Sequence, residues 1–303
     1  MNSINAMPVA DARTQKVISD DQAQFFRENG FLVIRGVLQK DELTAVQRDM
    51  QALLELGAQG ISTDKDFQYG KGSKTGESVL KRIEYVIDKS DSAKALLAHP
   101  FILNSVEKLQ GNNFIPTWDS MVIKMPNEGI IVPWHRDAER PVGCTDERPI
   151  FNMDFYLDDA DLKSCLWVIP GSNRWTVEAS KERCSREGFS TEDAIPVPLE
   201  AGDAIIHDIT VVHGSPSGDG NALRRTVYFE FRPGEIELEF GPHNKDYLKA
   251  KQQVLQACIE LRQQAPYACE EEPFVYRPTG ELEIREAKKP STFRYPHEDF
   301  WIG

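Results

Sequence analysis

A chain of 303 residues is long enough for one large domain or two small ones, and its 40% hydrophobic and 27% charged content is ordinary for a globular enzyme. A formal net charge of −13 argues against a nucleic-acid-binding surface, which needs a basic footprint, and against adsorption to anionic membranes. No apolar run approaches the roughly 20 residues of a membrane span, and the first residues lack the apolar core of a signal peptide. The five cysteines, Cys144, Cys165, Cys184, Cys258 and Cys269, are odd in number and show no C-x-x-C spacing. They read as free thiols of a reducing, cytoplasmic setting.

In chain order, residues 1–18 read as a flexible arm. Ser19 with Gln22 fits a capping box, and Gly30 is a natural stop for the short helix between. FLVIR, 31–35, is a short β run. Lys40 opens a second helix, with Leu43, Val46, Met50, Leu53 and Leu54 on its core face and Gly57 at its end. Residues 57–80 are polar, rich in glycine and without periodicity, which predicts a lid loop or plain disorder. Gly-Lys-Gly-Ser-Lys-Thr within it is not a phosphate loop, because Ser73 stands where glycine must precede Lys74. Ser90 caps a helix to Leu97, and Pro100 starts another with Phe101, Leu103, Val106 and Leu109 on its apolar side, closed by Gly111.

The pattern then changes to β runs at 114–125, 150–157, 165–169, 203–213 and 224–232, punctuated by Gly, Pro and Asn. Successive strands without helices between them predict an antiparallel sandwich or barrel. A helical face returns over 243–264, with Tyr247, Leu248, Val254, Leu255, Cys258 and Leu261. The tail, 267–303, should wrap the surface, anchored by Phe293, Tyr295, Phe300 and Trp301. No repeat or linker divides the chain, so 1–303 is expected to be one domain.

The chemistry centres on Val-Pro-Trp-His-Arg-Asp, 132–137. On a strand, His135 and Asp137 point to one face and can reach one point. A further histidine downstream, His213, completes two imidazoles and one carboxylate, the set that leaves positions open on non-heme Fe(II). Alone, His-x-Asp has a plainer reading: a surface turn in which Asp137 caps or pairs with Arg136 or Arg140. A kinase catalytic loop is excluded, since Val142 stands where that loop needs Asn. His207 is a rival ligand but reads better as a structural neighbour. His99 reads as a surface residue, and His243 and His297 carry no assignment. The tryptophans read as core or pocket wall, with Trp134 best placed near the metal. Two arginines open the last strand. Parity places Arg224 with Thr226, Tyr228 and Glu230, a polar face suited to a lined interior, and Arg225 with Val227, Phe229 and Phe231, a face to be packed under helices. Arg224 is therefore the candidate partner for a carboxylate, and Arg225 reads as a solvent-facing charge at a strand start.

The order His135-x-Asp137, CLWVIPGSN (165–173), AGDAIIHDITVVHGS (201–215) and Arg224, with FFRENGFLVIRGVLQKDEL (25–43) ahead of it, resembles the phytanoyl-CoA dioxygenase family over about residues 20 to 235. The resemblance implies a mainly β fold with flanking helices: a double-stranded β-helix core of jelly-roll or cupin type, with N-terminal helices and a C-terminal helix packed on the major sheet. It implies His135, Asp137 and His213 as Fe(II) ligands and 2-oxoglutarate and O2 as co-substrates. Arg224 and Ser215 would hold the far carboxylate of 2-oxoglutarate, Met121 would line its pocket, and Asp154 would face that pocket. The implied reaction is oxidation of an aliphatic C–H of a small organic metabolite, with release of succinate and CO2. Asp137 at the carboxylate position implies oxygen chemistry rather than halogenation. Ser164 and Asn173 depart from the family's usual Gly and His, at positions that bind neither metal nor co-substrate. No basic pocket for CoA phosphates is evident, which favours a substrate without CoA. Two other readings of the same residues stay open: a metal- or ligand-binding β-helix protein without catalysis, and a Zn hydrolase.

Overall fold

The computed structural model describes residues 7–58, 64–218, 220–284, 290 and 293. In chain order its elements are β1 (Ala10–Asp11), α1 (Asp20–Asn29), β2 (Phe31–Arg35), α2 (Lys40–Ala58), β3 (Phe67–Lys71), β4 (Ser78–Glu84), α3 (Val86–Lys89), α4 (Asp91–Leu97), α5 (Pro100–Gln110), β5 (Phe114–Lys124), β6 (Val132–His135), β7 (Phe151–Tyr156), β8 (Leu166–Val168), α6 (Val177–Cys184), β9 (Ile195–Val197), β10 (Ala204–Asp208), β11 (His213–Ser215), β12 (Arg224–Pro233), α7 (Gly234–Phe240) and α8 (Lys245–Arg262).

The strands form two sheets. An eight-stranded sheet runs β1-β2-β10-β7-β12-β5-β4-β3, and a four-stranded sheet runs β6-β11-β8-β9. This is the double-stranded β-helix the sequence led us to expect. One face of the large sheet carries the helices. On β12, Val227, Phe229 and Phe231 are fully buried there with Phe155, Phe151 and Phe114. The largest apolar core draws residues from Ala10 to Tyr276. The other face looks across to the small sheet and is lined with polar side chains. α8 lies against α4 and β5, and the Tyr247 hydroxyl donates to the Thr117 carbonyl.

The helix signals hold in detail. Ser19 and Gln22 cap α1 reciprocally, and Gly30 ends it at φ +80°, a left-handed conformation that glycine adopts without strain. Ser90 caps α4 through the Ala93 N–H. All five cysteines are free thiols.

Three expectations change. The arm is folded from Met7 onward, because Ala10 and Ile18 are fully buried and β1 pairs in parallel with β2; residues 1–6 lie outside the described residues. The expected loop at 57–80 is, from Phe67, an antiparallel hairpin of β3 and β4 at the edge of the large sheet. Its buried apolar positions, Phe67, Leu80 and Ile83, are too few and too diluted by glycine to show as alternation; residues 59–63 lie outside the described residues. Of the tail, the described stretch 267–284 is held by Phe274 and Tyr276, the Tyr276 hydroxyl donating to the Phe114 carbonyl at 2.7 Å. Phe293 packs at the core's edge, while Tyr295, Phe300 and Trp301 lie outside the described residues.

Candidate active site

The small sheet brings the histidines together. His135 ends β6, His213 opens β11, and the two are direct cross-strand partners, so both rings leave the same face. Their centroids lie 4.3 Å apart. The residues flanking His135 point away. Trp134 stacks on Phe189 at 4.7 Å, in an apolar cluster rather than at the site. Arg136 donates to the Ser172 and Trp175 carbonyl oxygens at 2.8 and 3.0 Å. β6 stops at His135, so Asp137 is not on a strand with it, as the two-residue spacing predicted. It arrives from the bend that follows, where its N–H donates to the Ile209 carbonyl at 2.9 Å.

The three groups nevertheless converge. Nε2 of His135 and Nε2 of His213 lie 3.4 and 3.6 Å from Oδ1 of Asp137, and one donor atom from each residue lies within 4.8 Å of the other two. The tautomers are set by the backbone. Nδ1 of His135 lies 2.8 Å from the Pro133 carbonyl oxygen, and Nδ1 of His213 lies 3.0 Å from that of Val211. A carbonyl oxygen only accepts, so each Nδ1 carries hydrogen and each neutral ring turns an Nε2 lone pair toward Asp137. Burial drives His213 down to about 3, which keeps it neutral. For His135 the effect of burial is outweighed by the hydrogen bond and charge of Asp137, and its pKa rises; a cation at the shared point competes with that proton. Burial alone would raise Asp137, but the imidazoles around it, His213 foremost, hold it well below the usual carboxylate range.

The other oxygen of Asp137 is held from the large sheet. Asn152 Nδ2 donates to Oδ2 at 2.8 Å, and His207 Nδ1 lies 3.5 Å from it. Asn152 and His207 are cross-strand partners on β7 and β10. His207 also reaches Asp154 at 3.3 Å, and these carboxylates overcome its burial and raise it to about 9. It is thus the structural neighbour the sequence suggested. Asp154 does face the cavity. Two neutral nitrogens and one oxygen, with His135 still 37% exposed on the open side, are the donor set of a non-heme iron(II) centre. The residues fit that ion.

The site opens into a cavity of about 630 Å³ that runs along the inner face of β12 past Arg224, Thr226, Tyr228, Glu230 and Arg232. Arg224 is 5% exposed; one of its terminal nitrogens donates to Thr226 Oγ1 at 2.8 Å, and the guanidinium lies 5.7 Å from the Tyr156 ring centroid. Among the described residues the other deeply buried arginines each hold a carboxylate: Arg183 with Asp193, Arg225 with Asp158, Arg232 with Glu230 and Glu237, and Arg262 with Glu42 and Glu271. Arg224 has none. Ser215 lines the same cavity, 1% exposed.

Three expectations fail here. Met121 is not at the cavity; it is fully buried in the main core, opposite Val227. The partners of Arg224, Thr226 and Tyr228 on β5 are Lys124, Val122 and Ser120, so β5 turns its even-numbered residues inward. Arg225 is not solvent-facing. It is 6% exposed, paired with Asp158 at 2.8 Å, and reaches the Gln47 carbonyl of α2 at 3.2 Å. His99, read as a surface residue, is also buried. With Glu42 and Glu271 it forms a second cluster of metal-ligand types, but the guanidinium of Arg262 binds both glutamates there and already supplies the cation.

Sequence reading missed Lys124, Tyr156, Asn152 and Arg82, all of which line the cavity. Residues 152, 154 and 156 share a face by alternation alone, so two of these were legible from Asp154. Trp118, rather than Trp134, is the indole at the cavity; its Nε1 donates to Glu84 at 2.8 Å.

The phytanoyl-CoA dioxygenase (PhyH) family model matches residues 26–226. The chain belongs to that family. It is a 2-oxoglutarate-dependent dioxygenase. Among curated relatives it is similar to "Phytanoyl-CoA dioxygenase domain-containing protein 1" of Danio rerio, 25% identical over 280 residues, covering 75% of this chain and 94% of that protein. Among solved structures this dioxygenase resembles EvdMO1, with TM-score 0.57 and 27% identity; the match covers 69% of this chain and 49% of EvdMO1, so the chain spans about half of that protein. It also shares its fold with EctD from S. alaskensis, solved with 2-oxoglutarate and 5-hydroxyectoine, at TM-score 0.59 and 21% identity over 73% of this chain and 78% of EctD. Among the described residues no helix is long and apolar enough to cross a membrane.

Proposed function

We propose that this dioxygenase oxidises an aliphatic C–H bond of a small organic molecule that is not carried on CoA, with iron held by His135, Asp137 and His213, and 2-oxoglutarate held by Arg224 and Ser215. The observation that carries the reading is a pairing of features in one cavity: three convergent metal donors and a buried guanidinium, that of Arg224, with no carboxylate of its own among the described residues. Iron bound there, together with 2-oxoglutarate, supplies the activation of O2 that oxidises the substrate and releases succinate and CO2.

The chain's own residues position the reactants. Asn152 fixes one oxygen of Asp137, with His207 beside it, and leaves the other for the metal. Arg224 offers the planar, permanently charged fork that a carboxylate takes in two parallel bonds. A Zn hydrolase or a metal-storage protein has no use for such a buried anion site, which is why we prefer the oxygenase reading to both. On the substrate side the cavity is walled by Gln68, Arg82, Trp118 and Tyr228. Two of the cations there are matched, Arg82 with Glu84 at 2.7 Å and Arg232 with Glu230 at 2.7 Å, while Lys81 lines the cavity with no carboxylate partner among the described residues. A single lysine is less positive charge than the several phosphates of CoA call for, which supports a substrate without it. Which C–H is oxidised is set by how the pocket holds it, since no side chain need act as a general base.

The test is conversion of 2-oxoglutarate to succinate by the purified chain with added Fe(II) and O2. We expect succinate formation that requires the metal and is lost in Asp137→Ala. Metal-bound protein that neither consumes nor binds 2-oxoglutarate contradicts the reading.

A further inference from the structure

Lys124 closes β5 and is the direct cross-strand partner of Arg224, so the two side chains leave the same face and both line the cavity. Lys124 is 2% exposed. Its Nζ donates to the carbonyl oxygens of Ile130 and Pro216, each at 2.7 Å. An ammonium has three N–H groups, so one remains. Among the described residues no carboxylate pairs with it. Lys251, buried to the same degree, has the charge of Asp119 and the Tyr247 ring at 5.7 Å as its counterweight. Lys124 has instead a like charge beside it. Burial, and after it Arg224, pushes its pKa down to about 6. Two buried cationic groups side by side without an anion do not both keep their charge cheaply, so Lys124 tends to give up its proton, and a ligand carboxylate placed between them restores the ammonium.

We propose that Lys124 is the second cation of the co-substrate pocket and that, with Arg224, it sets a preference for 2-oxo acids carrying a second carboxylate. The proposal rests on the reading that Arg224 faces the far end of 2-oxoglutarate. Arg224 supplies a planar pair of N–H donors, and the remaining N–H of Lys124 approaches from the neighbouring strand. The same ammonium ties two chain segments. Ile130 lies ahead of β6, which ends in His135, and Pro216 directly follows β11, which opens with His213. The segments touch elsewhere too, since a Cβ on Gly129 would collide with the Ser217 carbonyl oxygen. Lys124 therefore has a purely structural alternative role, as a tie between the strands that carry the two histidines, and the test must separate charge from tie.

Glutamine does this. Lys124→Gln keeps two N–H donors for the two carbonyls and removes the charge. Lys124→Met removes both. Binding of 2-oxoglutarate and of 2-oxobutanoate, which lacks the far carboxylate, is measured by anaerobic calorimetry on the full chain loaded with Fe(II). We expect wild-type protein to prefer 2-oxoglutarate strongly. We expect Lys124→Gln to weaken 2-oxoglutarate by about ten- to a hundred-fold, the scale of a charge-assisted hydrogen bond, and to leave 2-oxobutanoate nearly unchanged. Lys124→Met should show the same loss of preference together with a lower Tm. A wild-type preference retained in Lys124→Gln overturns the proposal and leaves Lys124 as a tie. If the wild-type chain binds both acids equally or neither, the co-substrate reading itself fails, which is a different result. The same measurement on Arg224→Met, with preference lost there and kept in Lys124→Gln, would show that Arg224 acts alone.

Discussion

β12 has two faces built from adjacent residues, and they do opposite things. Outward, Arg225 is held by Asp158 and followed by Val227, Phe229 and Phe231, all fully buried under the helices. Inward, Arg224 has no carboxylate among the described residues and is followed by Thr226, Tyr228, Glu230 and Arg232, which line the cavity. The two arginines are nearly equal in burial, at 5% and 6% exposed. Burial therefore does not tell a binding residue from a structural one. The presence or absence of an internal counter-charge does, because a protein leaves a buried cation unmatched only where something else is to match it.

The comparison can be broken from either side. The largest effect belongs to the inner face: Asp137→Ala should cut turnover by on the order of a thousand-fold or more, about 4 kcal/mol, with a Tm close to wild type in a steady-state succinate assay and a thermal melt on the same sample. On the outer face, Phe229→Ala should cost about 4 kcal/mol of stability in urea unfolding by leaving a cavity in the core, while the folded fraction still binds 2-oxoglutarate normally. Arg225→Met strands Asp158 and should cost about 3 kcal/mol in the same unfolding measurement. Arg224→Met should do the reverse. Its stability should hold or rise, since an unmatched charge is removed, and 2-oxoglutarate affinity should fall about a hundred-fold in equilibrium dialysis. Equal stability losses in the two arginine variants would erase the distinction between the faces.

The smallest effect concerns the helical side of the molecule. Burial, followed by Arg262, holds His99 well below its ordinary 6.5. As pH falls through about 6.5 the unfolded chain takes a proton that native His99 refuses. Stability then drops by at most about 1.4 kcal/mol per pH unit from this residue. His99→Gln should flatten that slope between about pH 6.5 and 5 in urea melts; an unchanged slope would assign it to other groups.

What the sequence disclosed, and what it hid, follows the same division. Alternation along 224–232 separated the two faces correctly, because a strand's period of two is a hard geometric fact. It could not say that Arg225 has a partner, since Asp158 lies far away in sequence and is brought near only by the pairing of β12 with β7. Met121 was placed at the cavity by family likeness, although strict parity with Arg224 across β5 would have pointed to Val122 and Lys124. Lys124 escaped notice because a lysine at the end of an apolar run reads as an exposed strand end. Asp137 reached the metal site by a bend rather than a strand, so the expected convergence held while the geometry first offered for it did not. The β3–β4 hairpin was hidden by Gly70, Gly72 and Gly76, which dilute its apolar pattern.

The most direct measurement is an anaerobic titration of 2-oxoglutarate into the Fe(II)-loaded chain, followed by visible absorption, because the oxo-acid chelated to this iron gives a charge-transfer band that neither component shows alone. The account predicts a band that saturates at about one 2-oxoglutarate per chain, shifts to much higher concentration in Arg224→Met and is absent in Asp137→Ala. Iron bound tightly by the wild-type chain with no band at any concentration of 2-oxoglutarate would contradict it.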